Sequence, residues 1–135
     1  ILDAALNDIK NVLCPKFDYD TLKLLDSNSR MSRAIDGSMY YPGAVGMNNI
    51  RETDYINVVL QAILFVKPIR NFFLREENYL CSTVPPGDLL FTLAVRFGEL
   101  TRKIWNPKNF KAHVSPHEMI QAIVKVSKKK IRDGK

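Results

Sequence analysis

The chain has 135 residues, 46% of them hydrophobic and 25% charged, a composition that fits one folded domain and excludes a generally disordered polymer. No run of about 18 apolar residues occurs, which excludes a transmembrane helix by length, and two cysteines, Cys14 and Cys81, are too few for a disulfide framework or a four-thiolate zinc site. The formal net charge is +6, of which residues 125–135 carry +5 through Lys125, Lys128, Lys129, Lys130, Arg132 and Lys135 against Asp133. A nearly neutral body with its basicity at one end reads as a solvated helix end rather than a nucleic-acid-binding face, which would be spread over the fold. The opening Ile1-Leu2-Asp3-Ala4 carries neither the basic region of a secretory signal nor an initiator Met. The expectation is a piece of a longer protein from a reducing intracellular compartment.

Leu2, Ala5, Leu6, Ile9 and Val12 or Leu13 recur at spacings of three and four, predicting an amphipathic helix that Pro15 ends. A short helix follows over Asp20–Leu25. Ser27 to Asn49 is a long irregular connector holding Gly37, Tyr40, Tyr41, Pro42, Gly43 and Gly46, of the kind that is functional or pinned down. The run from Tyr55 to Val66 is apolar on nearly every side, which predicts a helix buried all round, with Thr53 as its cap and Asp54 in its first turn. Pro68 stops or kinks it. Ile69–Leu74 is a short helix with Phe72, Phe73 and Leu74 turned inward. Pro85-Pro86-Gly87-Asp88 opens the most regular helix, with Leu89, Leu90, Leu93, Phe97, Leu100 and Ile104 periodic, and Trp105-Asn106-Pro107 closes it. Ser115-Pro116-His117-Glu118 has the form of a capping box, with Val114 placed to staple onto Met119. No stretch alternates well enough to predict a strand, so the fold class is mainly α, with five or six helices.

Little conventional chemistry is present. His113 and His117 are four apart, but a helix starting at Ser115-Pro116 leaves His113 outside it, and no Cys or acidic residue completes a ligand set, so no metal and no cofactor are expected. Gly43-Ala44-Val45-Gly46 has the wrong spacing for a phosphate loop, and no Gly-x-Ser-x-Gly elbow occurs. Neither cysteine has a basic neighbour arranged to lower its pKa.

The informative stretch is Gly46-Met47-Asn48-Asn49-Ile50-Arg51-Glu52-Thr53-Asp54-Tyr55-Ile56-Asn57-Val58-Val59-Leu60-Gln61. It resembles the cysteine box of the ubiquitin-specific proteases, Gly-Leu-x-Asn-Leu-Gly-Asn-Thr-Cys-Tyr-Met-Asn-Ser-x-Leu-Gln. Gly46, Asn49, Thr53, Tyr55, Asn57, Leu60 and Gln61 match in register. The departures fall on the chemistry: the family's nucleophilic cysteine maps to Asp54, and the asparagine that helps form its oxyanion hole maps to Glu52. Leu6–Lys10, Ser32–Gly37, Pro86–Asp88, Arg96–Leu100 and above all Trp105–Met119 resemble a catalytically degenerate subgroup of the family, splicing factors of the tri-snRNP.

The resemblance implies the helical thumb subdomain of a papain-like cysteine-peptidase fold, with residues 1–44 as lead-in and connector and residues 45–135 as the thumb part. It implies that the fingers, the palm and the family's histidine and second acid are not in this chain. It implies a nuclear, non-catalytic scaffold in pre-mRNA splicing with tri-snRNP proteins as partners, ubiquitin or a ubiquitin-like protein held without cleavage, RNA a secondary contact, and no membrane. An active thiol-dependent deubiquitinase and an RNA-binding module built on the basic C-terminal segment are the alternatives. Trp105, Phe110, Lys108 and Lys111 are the candidate partner surface, with Trp105 also readable as a plug at the helix end and Phe110 as a loop aromatic folded onto the body.

Overall fold

The computed structural model of the chain describes residues 2–3, 5–6, 17–27, 30–34, 36–50, 52–80, 87–107 and 113–127. In chain order the elements are α1 (Tyr19–Ser27), β1 (Ser32–Arg33), β2 (Met39–Tyr40), β3 (Gly46–Met47), α2 (Asp54–Leu64), α3 (Lys67–Leu74), α4 (Glu77–Leu80), α5 (Leu89–Trp105), β4 (His113–Val114) and α6 (His117–Val126). The chain is mainly helical, as expected. Leu2, Asp3, Ala5 and Leu6 are helical, and the rest of the helix expected over the first thirteen residues lies outside the described residues.

α5 is the spine. Its start is set by Asp88, whose carboxylate accepts from the N–H groups of Leu90 and Phe91 at 2.8 and 3.1 Å. Arg102 and Lys103 stand in its last turn, where cations suit the helix dipole. One side of α5 packs along α6 and the other against α3 and α4. Phe97, Leu100, Ile104 and Trp105 join Leu60, Leu64, Leu74, Val114, Met119 and Ile120 in one core. Gly98 lets α4 come close, because a Cβ there would stand 2.7 Å from Tyr79 Cζ. Leu89 and Leu90, periodic in the sequence, are exposed at the start of α5.

The connector is pinned down. β1 and β2 form an antiparallel hairpin with Ser32 opposite Tyr40 and Arg33 opposite Met39. The Tyr40 hydroxyl donates to the Asn106 carbonyl at 2.8 Å. Gly43 has φ +88° and sits flat on the Trp105 indole, where a Cβ would meet the ring at about 2.6 Å. β3 then pairs in parallel with β4, Gly46 with His113 and Met47 with Val114. Among the described residues each of these strands is two residues long, too short to leave an alternating pattern in the sequence.

Three expectations are corrected. α2 is not buried all round: Ile56, Leu60 and Leu64 face the core, while Tyr55, Val58 and Val59 are 52–66% exposed. Apolar composition makes a helix able to be covered, and the described residues cover one side only. Phe72 is exposed although Phe73 packs on the core and Leu74 is buried. Neither expected cap accepts a bond from the N–H groups of its helix: Thr53 holds the cap position of α2 as expected but without a side-chain cap bond, and Pro116 rather than Ser115 holds that of α6. Thr53 Oγ1 accepts instead from the Ile50 N–H, and Ser115 Oγ accepts from Asn48 Nδ2.

Pro68 acts as expected. α2 and α3 meet at 91°, with the proline in the first turn of α3. Among the described residues no single helix is long and apolar enough to cross a membrane.

Candidate functional site

The box that resembles a protease nucleophile loop runs from β3 through residues 48–53 into α2. Its anchorage starts on the backbone: beyond the β3–β4 pairing, the Asn48 N–H donates to the Val114 carbonyl at 2.9 Å. Asn48 Nδ2 reaches Ser115 Oγ at 2.9 Å. The box and the stretch leading into α6 are therefore one structural unit, although 67 residues separate Asn48 from Ser115.

The loop closes on itself. Asn49 Oδ1 accepts from the Thr53 N–H at 2.8 Å, and Thr53 Oγ1 accepts from the Ile50 N–H at 3.0 Å. This reciprocal pair satisfies two backbone donors of a tight turn, and Thr53 is fully buried. Asn57, one turn into α2, donates from Nδ2 to the Asn48 carbonyl at 3.1 Å. Gln61, a turn further on, donates to the Val45 carbonyl at 3.4 Å. Asn49, Thr53, Asn57 and Gln61 thus staple the loop and β3 to the helix. Tyr55 faces outward and is not a core residue.

Asp54 is the first residue of α2 and is exposed. Its carboxylate stands at the positive end of the helix dipole, a favourable place for an anion. Glu52, two residues earlier, is also exposed and has φ +63°. A residue with a Cβ adopts this left-handed conformation at a cost; asparagine and glycine tolerate it best. The turn is one that suits an asparagine, and it carries a glutamate. Arg51, Cys14 and Cys81 lie outside the described residues. His113 sits on β4 and His117 opens α6, both exposed. Among the described residues no three His, Cys, Asp or Glu side chains are grouped to hold a metal.

Of the partner residues expected from sequence, Phe110, Lys108 and Lys111 lie outside the described residues. Trp105 does not present a surface. It is 7% exposed, lies under Gly43, donates from Nε1 to the Leu64 carbonyl at 3.2 Å, meets Phe65 edge-on at 5.8 Å, and carries the Arg70 guanidinium 4.6 Å from its ring centroid. It is the plug at the end of α5, and the packing leaves its ring no face for a partner.

Sequence reasoning missed two buried arginines. Arg70 is 2% exposed and donates to Asp26 Oδ1 at 2.6 Å and to Asn71 Oδ1. That hydrogen bond, with the charges of Arg70 and Lys67, holds the Asp26 carboxyl below the usual carboxylate range against the opposing effect of burial. Arg102 reaches the Tyr79 hydroxyl, the Phe73 carbonyl and Glu76. On the α5–α6 seam, Arg96 bridges Glu99 at 2.8 Å and Glu118 at 3.3 Å, and the Glu99 bond raises the arginine's pKa. Only Arg96–Glu99 has a local pattern, a spacing of three within α5; no local pattern signals the others, because Asp26, Tyr79, Glu76 and Glu118 come from elsewhere in the chain.

The comparisons agree with this geometry. Residues 45–134 match the family model "Ubiquitin carboxyl-terminal hydrolase". The chain is similar to ubiquitin carboxyl-terminal hydrolase 39 of Homo sapiens, 57% identical over 129 residues, covering 96% of this chain and 23% of that protein. It is also similar to the probable mRNA-splicing protein ubp10 of Schizosaccharomyces pombe, 41% identical over 127 residues, covering 94% of this chain and 24% of the relative. A crystal structure of an essential yeast splicing factor superposes with a TM-score of 0.71 at 26% identity, over 96% of this chain and 29% of that one. The chain therefore spans about a quarter of the length of the relatives it matches. With the box, its register and the family match in agreement, the chain belongs to the ubiquitin carboxyl-terminal hydrolase family.

Proposed function

We propose that this chain is the thumb part of a non-catalytic, ubiquitin-specific-protease-like scaffold that acts in pre-mRNA splicing in the nucleus and supports the assembly of tri-snRNP proteins. The observation that carries the reading is the start of α2. Asp54 stands where the family's box has its thiol, Glu52 stands at φ +63° two residues before it, and Asn49, Thr53, Asn57 and Gln61 all hydrogen-bond within the box scaffold.

The chemistry supports the same conclusion. A thiol at a helix N-terminus becomes a thiolate and forms a productive acyl-enzyme. A carboxylate attacking an amide would form an anhydride, and since carboxylate leaves far more readily than amine, the adduct collapses backwards. Glu52 adds negative charge beside a position where an oxyanion would have to develop, the reverse of what stabilisation needs. The structural scaffold of the box is meanwhile intact, which fits selection for shape. The splicing names carried by two of the similar proteins, ubp10 and the yeast splicing factor, support the setting.

The test is hydrolysis of a ubiquitin–coumarin amide by the full-length gene product. The expected result is a rate equal to the buffer blank. Hydrolysis above blank that Asp54→Ala abolishes would overturn the non-catalytic reading and restore the deubiquitinase. The setting is tested by pull-down from nuclear extract with and without RNase. Retention of tri-snRNP proteins after RNase supports the scaffold; their loss with RNase would point to the basic C-terminal segment, and recovery of ubiquitin conjugates alone to a surviving ubiquitin surface.

A further inference from the structure

A groove between α1 and α3, away from the box, has the features of a docking site. Leu22, Phe72 and the Tyr19 ring line it with Lys23, Asp26 and Arg75 at its rim, around a cavity of about 300 Å³. That is the low end of the range for ligand sites, about 300–1,000 Å³, and offers room for one or two side chains. Tyr19 is 68% exposed and Phe72 44%. Large apolar side chains left open around a concavity, with polar groups at the rim, mark interaction surfaces.

The charges at the rim are unequal in their availability. Asp26 is engaged from behind by Arg70 at 2.6 Å and Lys67 at 3.8 Å. Asp18, which also feels the charge of Arg75, is tied to the N–H and hydroxyl of Thr21 at 2.8 and 2.7 Å. Lys23 is exposed, and no ion pair engages it among the described residues. The Arg75 guanidinium is held over the Tyr19 ring at 4.1 Å, which orients both side chains. Its Nε is buried without a hydrogen bond, and its ion-pair partner, the exposed Glu77, stands 3.8 Å away. Two cations therefore flank an aromatic floor whose own carboxylates are already satisfied.

We propose that this groove docks a short peptide segment of a partner protein in which a large apolar side chain stands next to a carboxylate. The apolar side chain rests on Tyr19, Leu22 and Phe72, and the carboxylate pairs with Lys23 and Arg75. The charge pattern favours a peptide over RNA. Two cations surrounded by Asp18, Asp26 and Glu77 cannot follow a phosphate backbone, which needs a continuous positive track. The α1 wall precedes residue 45, where the family match begins, yet lies inside the 129-residue similarity to the human relative. One wall of the groove is thus no part of what the family model describes, while Phe72 and Arg75 on the other wall lie inside the match, and the proposal does not depend on the box being inactive.

The test is selection of a random peptide display library on the full-length protein, followed by affinity measurement of the recovered consensus by fluorescence anisotropy. The expected consensus has Leu, Phe, Trp or Met beside Asp or Glu. Lys23→Glu should weaken it about tenfold, the loss of one charge-assisted contact, and a peptide with Lys in place of its carboxylate should recover affinity for that variant. Tyr19→Ala should weaken binding about fivefold or more, about 1 kcal/mol of lost aromatic contact. In NMR spectra of the unaltered protein, the peptide should shift the ring signals of Tyr19 and Phe72. No consensus, a consensus indifferent to Lys23→Glu, shifts elsewhere, or a uridine oligonucleotide that binds and loses affinity on Lys23→Glu would each overturn the proposal. None of these results bears on ubiquitin hydrolysis, so the two readings fail separately.

Discussion

Trp105 donates its indole N–H to the carbonyl of Leu64 at 3.2 Å, and Leu64 is the residue whose helical partner would be Pro68. In a continuous helix the carbonyl of residue 64 accepts from the N–H of residue 68. Proline has no N–H, so α2 must end, and the bend to α3 is 91°. The freed carbonyl is buried, and the tryptophan at the far end of α5 satisfies it. Replacing the indole by a phenyl ring keeps most of the apolar volume and removes the donor. Trp105→Phe should destabilise the chain by about 1–3 kcal/mol, the cost of an orphaned buried acceptor, measured by urea denaturation. An unchanged midpoint would show that the bond contributes nothing.

Gly98 sets propensity against packing. In a helix interior, Gly→Ala normally gains about 1 kcal/mol. Here the added methyl would meet the Tyr79 ring, which Arg102 and Phe73 hold from two other sides. The clash should win: overpacking costs about 1–3 kcal/mol before the propensity gain is subtracted. Gly98→Ala is expected to lower the melting temperature, and a rise would mean that Tyr79 moves freely.

Glu52 at φ +63° holds a conformation that disfavours most side chains. Glu52→Gly or Glu52→Asn should stabilise the chain by about 0.5–1 kcal/mol by removing that strain, read from denaturant midpoints. Destabilisation by either change would show that the glutamate makes a contact that offsets the strain.

The Asp26–Arg70 pair gives stability a sign in pH. The folded-state pKa of Asp26 is lowered relative to its unfolded value, so its contribution is fully present above the unfolded carboxylate range, near about 4, and is lost as pH falls through the lower folded value. Asp26→Asn should remove that acid-side slope and cost about 1–3 kcal/mol near neutrality, chiefly because Arg70 stays buried without its charge partner. Urea titrations from neutral to acidic pH would check both; a variant with the same slope would assign the acid sensitivity elsewhere.

Within the box, the structural and relic positions should separate by magnitude. Asp54→Ala removes an exposed helix-dipole carboxylate, worth about 0.3–1 kcal/mol. Asn57→Ala removes a buried side chain that ties the helix to the Asn48 carbonyl, and should cost about 1–3 kcal/mol. Equal effects of the two changes would contradict the proposed division between a retained scaffold and a degenerate nucleophile position.

Much of this chain could be read from its sequence because the signals are local. The periodicity from Phe97 to Ile104, the helix opening at Pro85–Asp88, the Pro68 break and the box register all depend on neighbours a few residues apart, and the structure carries α5, the α2–α3 bend and the Asn49–Thr53 turn where those signals stand. What could not be read depends on pairs far apart in the chain. Ser115 looks like a helix cap until Asn48 arrives 67 residues away to use its hydroxyl. Trp105 reads from sequence as a helix-end plug or an anchor for a partner, and Leu64, Gly43 and Arg70, which enclose it, decide for the plug. α2 looks buried all round because composition counts apolar residues and not the elements available to cover them. By itself the sequence determined the helical character and the family of the box and set a carboxylate at Asp54, since residue identity and short spacing carry those. Only tertiary structure decided which polar side chains became internal staples, which buried arginines found carboxylates, and which apolar faces stayed open, because burial and pairing are properties of surfaces that meet only once the chain has folded.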